Sequence, residues 1–208
     1  MKLNLPEDFF PSEPIDFVHG HWLGTRSTGN KNQLCIPLIP KNGTQTISRN
    51  IDGEWRRFFH RQKDSNTDAR IKTYIILLRE PLRRWISGVA EYCTRNFIDV
   101  KTLDLTEIVF DEHTTSQTAH LYAIQPKKCD FFLLDDNGMQ EMYDAYPINN
   151  GPIQNHNETK WDDKKTESTE YLFNVLKNDL ELRSKIKKFY KNDYFLLNTF
   201  NKERYQKS

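Results

Sequence analysis

Two stretches of this 208-residue chain carry side chains suited to holding phosphate. In CIPLIPKNGTQTISR, residues 35–49, an apolar run ends at Pro40 and gives way to Lys41, Asn42, Gly43, Thr44, Gln45 and Thr46. A strand running into a helix through such a turn leaves backbone N–H groups unpaired at the helix start, where their partial positive charge accommodates an anion. Gly43 removes a side chain that would obstruct the approach, Thr44 and Thr46 add hydroxyl donors, and Lys41 adds a full charge. The triphosphate-binding pattern G-x-x-x-x-G-K-[ST] is absent. An ordinary turn with a capping threonine uses the same residue types, so this loop alone is only moderately specific. In LLREPLRRWIS, residues 77–87, a second apolar run ends at Arg79, and Pro81 opens a helix bearing Arg83, Arg84 and Ser87. Arg83 and Ser87 share a helix face, and Arg79 and Ser87 could meet one anion across the turn. Arginine's planar fork fits phosphate, although a solvated basic helix face is the plain alternative. Two such sites imply one ligand with two separated phosphates, held beyond neighbouring strand ends.

The elements that must position these residues follow from hydrophobic pattern. Residues 1–31, rich in Pro, Gly and Asn, read as an irregular lead-in. QLCIPLI, 33–39, predicts a short buried strand, with Pro37 awkward inside it. Thr44 or Thr46 would cap a helix over 47–62, and KDSNTD, 63–68, is a loop. The clearest strand is KTYIILLRE, 72–80, whose unbroken apolar run suits the middle of a parallel sheet. Pro81 suits the first turn of a helix over 82–96. A short helix over 97–112, a helix over 113–125 and a buried strand CDFFLLDD, 129–136, come next. Residues 144–168 are loop-rich, 169–190 predict a long amphipathic helix, and DYFLLNTF, 193–200, predicts a final strand. Alternating strands and helices predict an α/β fold with a central, mostly parallel sheet flanked by helices, in a single domain spanning 1–208.

Composition narrows the partners. A net charge of +1 predicts no general attraction to nucleic acid or anionic membrane, so any anion site must be a local cluster. No apolar run approaches the ~18–20 residues of a membrane span, and MKLNLPEDFFPSEP lacks the apolar core of a secretion signal. Cys35, Cys93 and Cys129 are odd in number and widely spaced, which predicts free thiols in a reducing, cytoplasmic setting. His19 and His21 lack the acidic or cysteine company of a metal site, so no metal is expected.

P-K-x-G-T-x-T at 40–46 with R-x-P-x-x-R-x-x-S at 79–87 resembles the sulfotransferases that use 3′-phosphoadenosine 5′-phosphosulfate. FDEHTTSQTAHLYAIQPKKCDFFLLD, PIQNHNETK and KFYKNDYFLLNTF are similar, in that order, to segments of the chondroitin- and dermatan-type carbohydrate sulfotransferases. The membrane anchor and paired cysteines of the Golgi enzymes are not among the expected features of these 208 residues. The resemblance implies a P-loop-like sulfotransferase fold and transfer of a sulfuryl group from that nucleotide to an acceptor hydroxyl, on a carbohydrate. It implies that Lys41, Asn42, Gly43, Thr44, Gln45 and Thr46 hold the 5′-phosphosulfate, with Lys41 stabilising the leaving oxygen, and that Arg79 and Ser87 hold the 3′-phosphate. A general base is then needed. His113 is the first candidate and His60 the second, with Glu54 behind them; each could equally be a structural residue.

Other residues stay open. Trp55, Phe58, Phe59 and Trp85 could line a sugar site but have the spacing of core. Gln117 could touch substrate or sit solvated on a helix, and His120 could simply pack. Lys160, Lys164 and Lys165 could reach the nucleotide or an anionic acceptor, or form a solvated face. A small-molecule kinase would use Asp135 or Asp136 to hold its metal, and a non-catalytic nucleotide-binding module would use the same phosphate loops.

Overall fold

The computed structural model describes residues 1–13, 18, 21–25, 33–50, 55–59, 71–135, 137–146 and 163–206. Its centre is one five-stranded sheet: β1 (His21–Thr25), β2 (Gln33–Pro37), β3 (Trp55–Phe59), β4 (Ile71–Leu78) and β5 (Cys129–Leu133), in the order β3-β1-β2-β4-β5. β4 runs parallel to both β2 and β5, while β1 is antiparallel to β2 and to β3. The sheet is therefore mixed rather than mostly parallel. Two elements cause the difference. The stretch read as irregular lead-in supplies β1, and β3 falls inside the span 47–62 read as helix, which ends instead at Asn50. Trp55–Phe59 is aromatic-rich and gains more from pairing along β1 than from extending a short helix.

β4 explains the central architecture. Tyr74, Ile76 and Leu78 join one buried cluster, with Cys35, Cys129, Phe131, Leu196 and Phe200. Ile75 and Leu77 join another, with Ile36, Ile47, Phe132 and Met142. Both faces of the strand are covered, which is why its apolar run is unbroken. One cover contains α1 (Thr44–Asn50) and α3 (Gly138–Ala145). The other contains the N-terminal segment and α6 (Lys191–Tyr205).

A third cluster lies between helices. α2 (Pro81–Asn96) contributes Trp85, Ile86, Val89 and Cys93. α4 (Asp163–Asn178) and α5 (Leu180–Phe189) contribute Leu172, Leu176, Leu182 and Ile186. The helix expected over 169–190 begins earlier and breaks at Asp179, whose carboxylate caps α5 by accepting from the Leu182 N–H at 2.8 Å. The final strand expected over 193–200 is helix α6, with Leu196, Leu197 and Phe200 buried at helical spacing. The outer edge of β5 is already engaged by Met1, whose carbonyl accepts from the Phe131 N–H at 2.9 Å and whose ammonium donates to the Phe131 carbonyl at 3.0 Å.

The helix expected over 113–125 is reduced to a 3₁₀ turn, Thr118–Leu121. Short polar side chains take its backbone partners. The Thr114 hydroxyl accepts from the N–H groups of Phe110 and Asp111, and the Thr115 hydroxyl donates to the Asp111 carbonyl. The span 97–112 likewise holds only two 3₁₀ turns, Val100–Thr102 and Leu105–Glu107. Among the described residues no helix is long and apolar enough to cross a membrane.

The segment 110–118 rests on α2 at Gly88. A Cβ there would lie 2.5 Å from the His113 carbonyl oxygen, a contact that only backbone movement could relieve. Gly88→Ala should therefore destabilise the protein by about 2 kcal/mol, although alanine is the better helix former by roughly 1 kcal/mol. Chemical denaturation measures this directly; a stabilised variant would show that the segment does not pack on α2.

Candidate functional site

Because β2, β4 and β5 are parallel, the loops that leave their carboxyl ends lie along one edge of the sheet. Residues 38–43 turn from β2 into α1, and Arg79 and Glu80 join β4 to α2. The turn is compact: the Asn42 N–H donates to the Ile39 carbonyl at 3.1 Å, and Lys41 and Gly43 have φ of 67° and 73°. For lysine that left-handed conformation costs about 1 kcal/mol. Gly43 is needed for its φ and for packing. A Cβ there would point at Leu77, Leu134 and Met139, so the glycine clears apolar core and not the path of a ligand, the reason first suggested by its sequence context.

The two loops touch. The Arg79 guanidinium donates through Nη1 to the Lys41 carbonyl at 2.8 Å. Burial, and then the charges of Arg84 and Arg83, pull its pKa down from the ordinary arginine range. Among the described residues no acceptor takes its other N–H groups.

Lys41 extends over α2 toward Glu91, with Nζ 3.4 Å from Oε2. The same carboxylate oxygen accepts from Lys165 at the start of α4, and Arg95 lies 3.4 Å from the other. Burial alone would push Glu91 up, but the Lys165 hydrogen bond and the two lysine charges outweigh it and hold the carboxyl at about 2. Burial is also the main influence on Lys41. With help from Lys165 and Arg79, and against Glu91, it lowers that ammonium to about 8. One carboxylate facing three cations leaves local positive charge on a chain of net charge +1. Half-buried Ser87 lies one turn before Glu91 on the same face of α2.

The other loop residues divide. Thr44 is half-buried, and the backbone of Gln45 belongs to α1. The N–H groups at 43–46 precede the first intrahelical bond, from Ile47 N to the Gly43 carbonyl at 2.9 Å, so they can face an anion. Asn42 and Thr46 turn inward, each with 2% exposure, and among the described residues nothing partners their Oδ1 and Oγ1. The Asn42 amide donates to the Leu77 carbonyl at 2.7 Å and to Gln117 Oε1 at 2.6 Å. Its side chain braces the turn.

His113 is nearly buried. Its Nδ1 lies 2.8 Å from Asp111 Oδ2, and its backbone N–H donates to Oδ1 of the same carboxylate at 2.8 Å. A proton on Nδ1 would satisfy that contact and leave the Nε2 lone pair available. His60, Glu54, Lys160, Asp136 and His19 fall outside the described residues. His120 is buried, with Nε2 3.2 Å from the Glu112 carbonyl. Trp85 is core, its indole N–H bonded to the Ile108 carbonyl at 2.8 Å. Asp135 accepts from the Gly138 N–H and pairs with Arg204 at 3.3 Å. Among the described residues no three His, Cys, Asp or Glu side chains gather as a metal site would require.

Arg84 escaped sequence reasoning. It looks like part of a basic helix face but is fully buried, donating through Nε to the Pro40 carbonyl at 3.0 Å and through Nη1 to the Thr115 carbonyl. Gln117, read as touching substrate or sitting solvated on a helix, is instead 1% exposed and bonded to Arg79 and Asn42.

Compared with family models, with curated proteins and with solved structures, the chain matches none.

The depressed Lys41 ammonium gives a pH test of whether this turn holds an anion. Raising pH through 8 removes its proton, so affinity for sulfate, whose own charge is constant there, should fall by about tenfold between roughly pH 7 and 9. Lys41→Arg should hold its affinity over that range. The protein itself does not unfold through this group: a lysine lowered on folding favours the folded state as pH rises from about 8 toward 10.5. Chemical-shift titration at each pH reads the affinity; a flat wild-type profile would remove Lys41 from the anion site.

Proposed function

We propose that the chain is a sulfotransferase that takes its sulfuryl group from 3′-phosphoadenosine 5′-phosphosulfate and delivers it to an acceptor hydroxyl on a carbohydrate. The observation that carries this reading is the 2.8 Å bond from Arg79 Nη1 to the Lys41 carbonyl. It puts the two loops singled out for phosphate side by side, beyond the ends of adjacent parallel strands. That is where open α/β sheets bind ligands, and a bisphosphorylated nucleoside needs two neighbouring anion grips.

In this reading Lys41, the N–H groups at 43–46 and the Thr44 hydroxyl face the 5′-phosphosulfate, and Arg79 with Ser87 takes the 3′-phosphate. The acceptor oxygen attacks sulfur in line as the bond from sulfur to the bridging phosphate oxygen breaks. The acceptor proton passes to His113 Nε2, and the Lys41 ammonium stabilises charge growing on the departing oxygen. Asp111 steadies the imidazolium that forms. Glu91 holds the Lys41 ammonium until a more strongly charged anion competes for it. The sheet would then be a mixed, compact variant of the P-loop-like sulfotransferase fold. The three free, buried cysteines suit a reducing compartment such as the cytoplasm.

Calorimetric titration tests the donor class. 3′-Phosphoadenosine 5′-phosphate should bind at least about tenfold more tightly than ADP or ATP, and Arg79→Ala should cost that ligand about 10- to 100-fold in affinity, the worth of a charge-assisted hydrogen bond. Lys41→Ala should lower turnover by about 100- to 1,000-fold with a smaller effect on binding. Equal affinity for ADP and the bisphosphate would sink the assignment, and transfer of labelled phosphate from ATP would replace it with a kinase.

A further inference from the structure

Neither grip is held in place by its own loop alone. Gln117 is 1% exposed, and its carboxamide reads the backbone of Arg79 as a neighbouring strand would. Oε1 accepts from the Arg79 N–H at 2.9 Å, and Nε2 donates to the Arg79 carbonyl at 2.8 Å. The same Oε1 accepts from Asn42 Nδ2 at 2.6 Å, and that nitrogen also donates to the Leu77 carbonyl at 2.7 Å. One side chain therefore joins the end of β4 to the turn after β2. It has little freedom to move: the Gln117 N–H donates to Asp193 Oδ2 at 2.7 Å, and the Thr118 N–H and hydroxyl donate to Asp193 Oδ1 at 2.9 and 2.8 Å.

We infer that Gln117 is the positioning residue that sets the spacing of the two anion grips, so that the site prefers a ligand with phosphates at both ends. This rests on the bisphosphonucleotide reading above. Gln117 acts through Arg79 and Asn42 and has no role in the chemistry. With it in place, the Arg79 guanidinium and the Lys41–Thr46 turn form one rigid unit, and the cost of fixing their separation is met before ligand arrives. Without it each grip still binds one phosphate, but the two no longer hold a common spacing.

The test compares three probes, adenosine 3′,5′-bisphosphate, 5′-AMP and 3′-AMP, on wild type, Gln117→Met and Gln117→Glu. Methionine keeps the length and apolar fit of the side chain and removes all three hydrogen bonds; glutamate keeps both acceptor contacts and loses the donor. In Gln117→Met the preference for the bisphosphate over either monophosphate should fall by about tenfold, the worth of one hydrogen bond, while monophosphate affinities stay within about twofold. Gln117→Glu should fall between. Hydrogen exchange at the Arg79 amide should quicken by at least about tenfold in Gln117→Met, with the amides of Ile75 and Ile76 unchanged. A purely structural residue would lower all three affinities together or change only the melting temperature, and that result, or an unchanged preference, overturns the inference. A wild-type protein with no preference for the bisphosphate would instead overturn the nucleotide reading, and this inference with it.

Discussion

The buried carboxylate of Asp193 is the constraint from which the site is built. It sits on α6 with 1% exposure, and burial pushes its pKa up, opposed by the donors it accepts and by the charge of Arg84. A carboxyl group buried in that position needs hydrogen bonds in several directions. It obtains three from the Gln117–Thr118 turn, which fixes that turn against α6. From there the order passes outward through Gln117 to Arg79 and Asn42, and through Arg84 to Pro40 and Thr115. Tyr190 adds a hydroxyl bond to the Thr114 carbonyl. The polar groups beneath the strand ends thus form a connected network, in which each loop is held by side chains from elsewhere in the chain.

Above this network the charges are unevenly matched. Glu91 is one carboxylate among Lys41, Lys165 and Arg95, with Arg79 close by. It is strong enough to hold two ammonium groups in a half-buried place and too little to neutralise them. Such a region attracts an anion locally while the whole molecule stays near neutral. The same carboxylate ties the start of α4 to α2, so α4 is braced at its charged end by an ion pair and along its length by Leu172 and Leu176.

Much of this was legible in residue pattern. The unbroken apolar run of β4 announced a strand covered on both faces, Pro81 announced the start of α2, and CDFFL announced β5. The turn at 40–43 and Arg79 stood out because residue types suited to phosphate follow an apolar run directly. The misread elements share a cause: their local pattern fitted two states, and distant partners chose. DYFLLNTF has the composition of a strand, but the edge of β5 is engaged by Met1 and the Leu196, Leu197, Phe200 stripe has a sheet face to cover, so it is helix. WRRFF continues a helical reading until β1 offers it a ladder.

The sequence by itself determined the strand-to-helix turns with their lysine, threonines and arginine, the heavily apolar central strand, and a net charge of only +1. These depend on neighbours within a few residues, where steric preference, proline and hydrophobic period act directly. Only the tertiary structure decided that the two turns abut, that Arg84 is interior, that Gln117 clamps Arg79, and that Glu91 gathers Lys41 and Lys165. Each of those contacts spans tens of residues, and its energy depends on burial, which no local pattern records: a basic side chain reads as solvated surface until the packing around it removes the water.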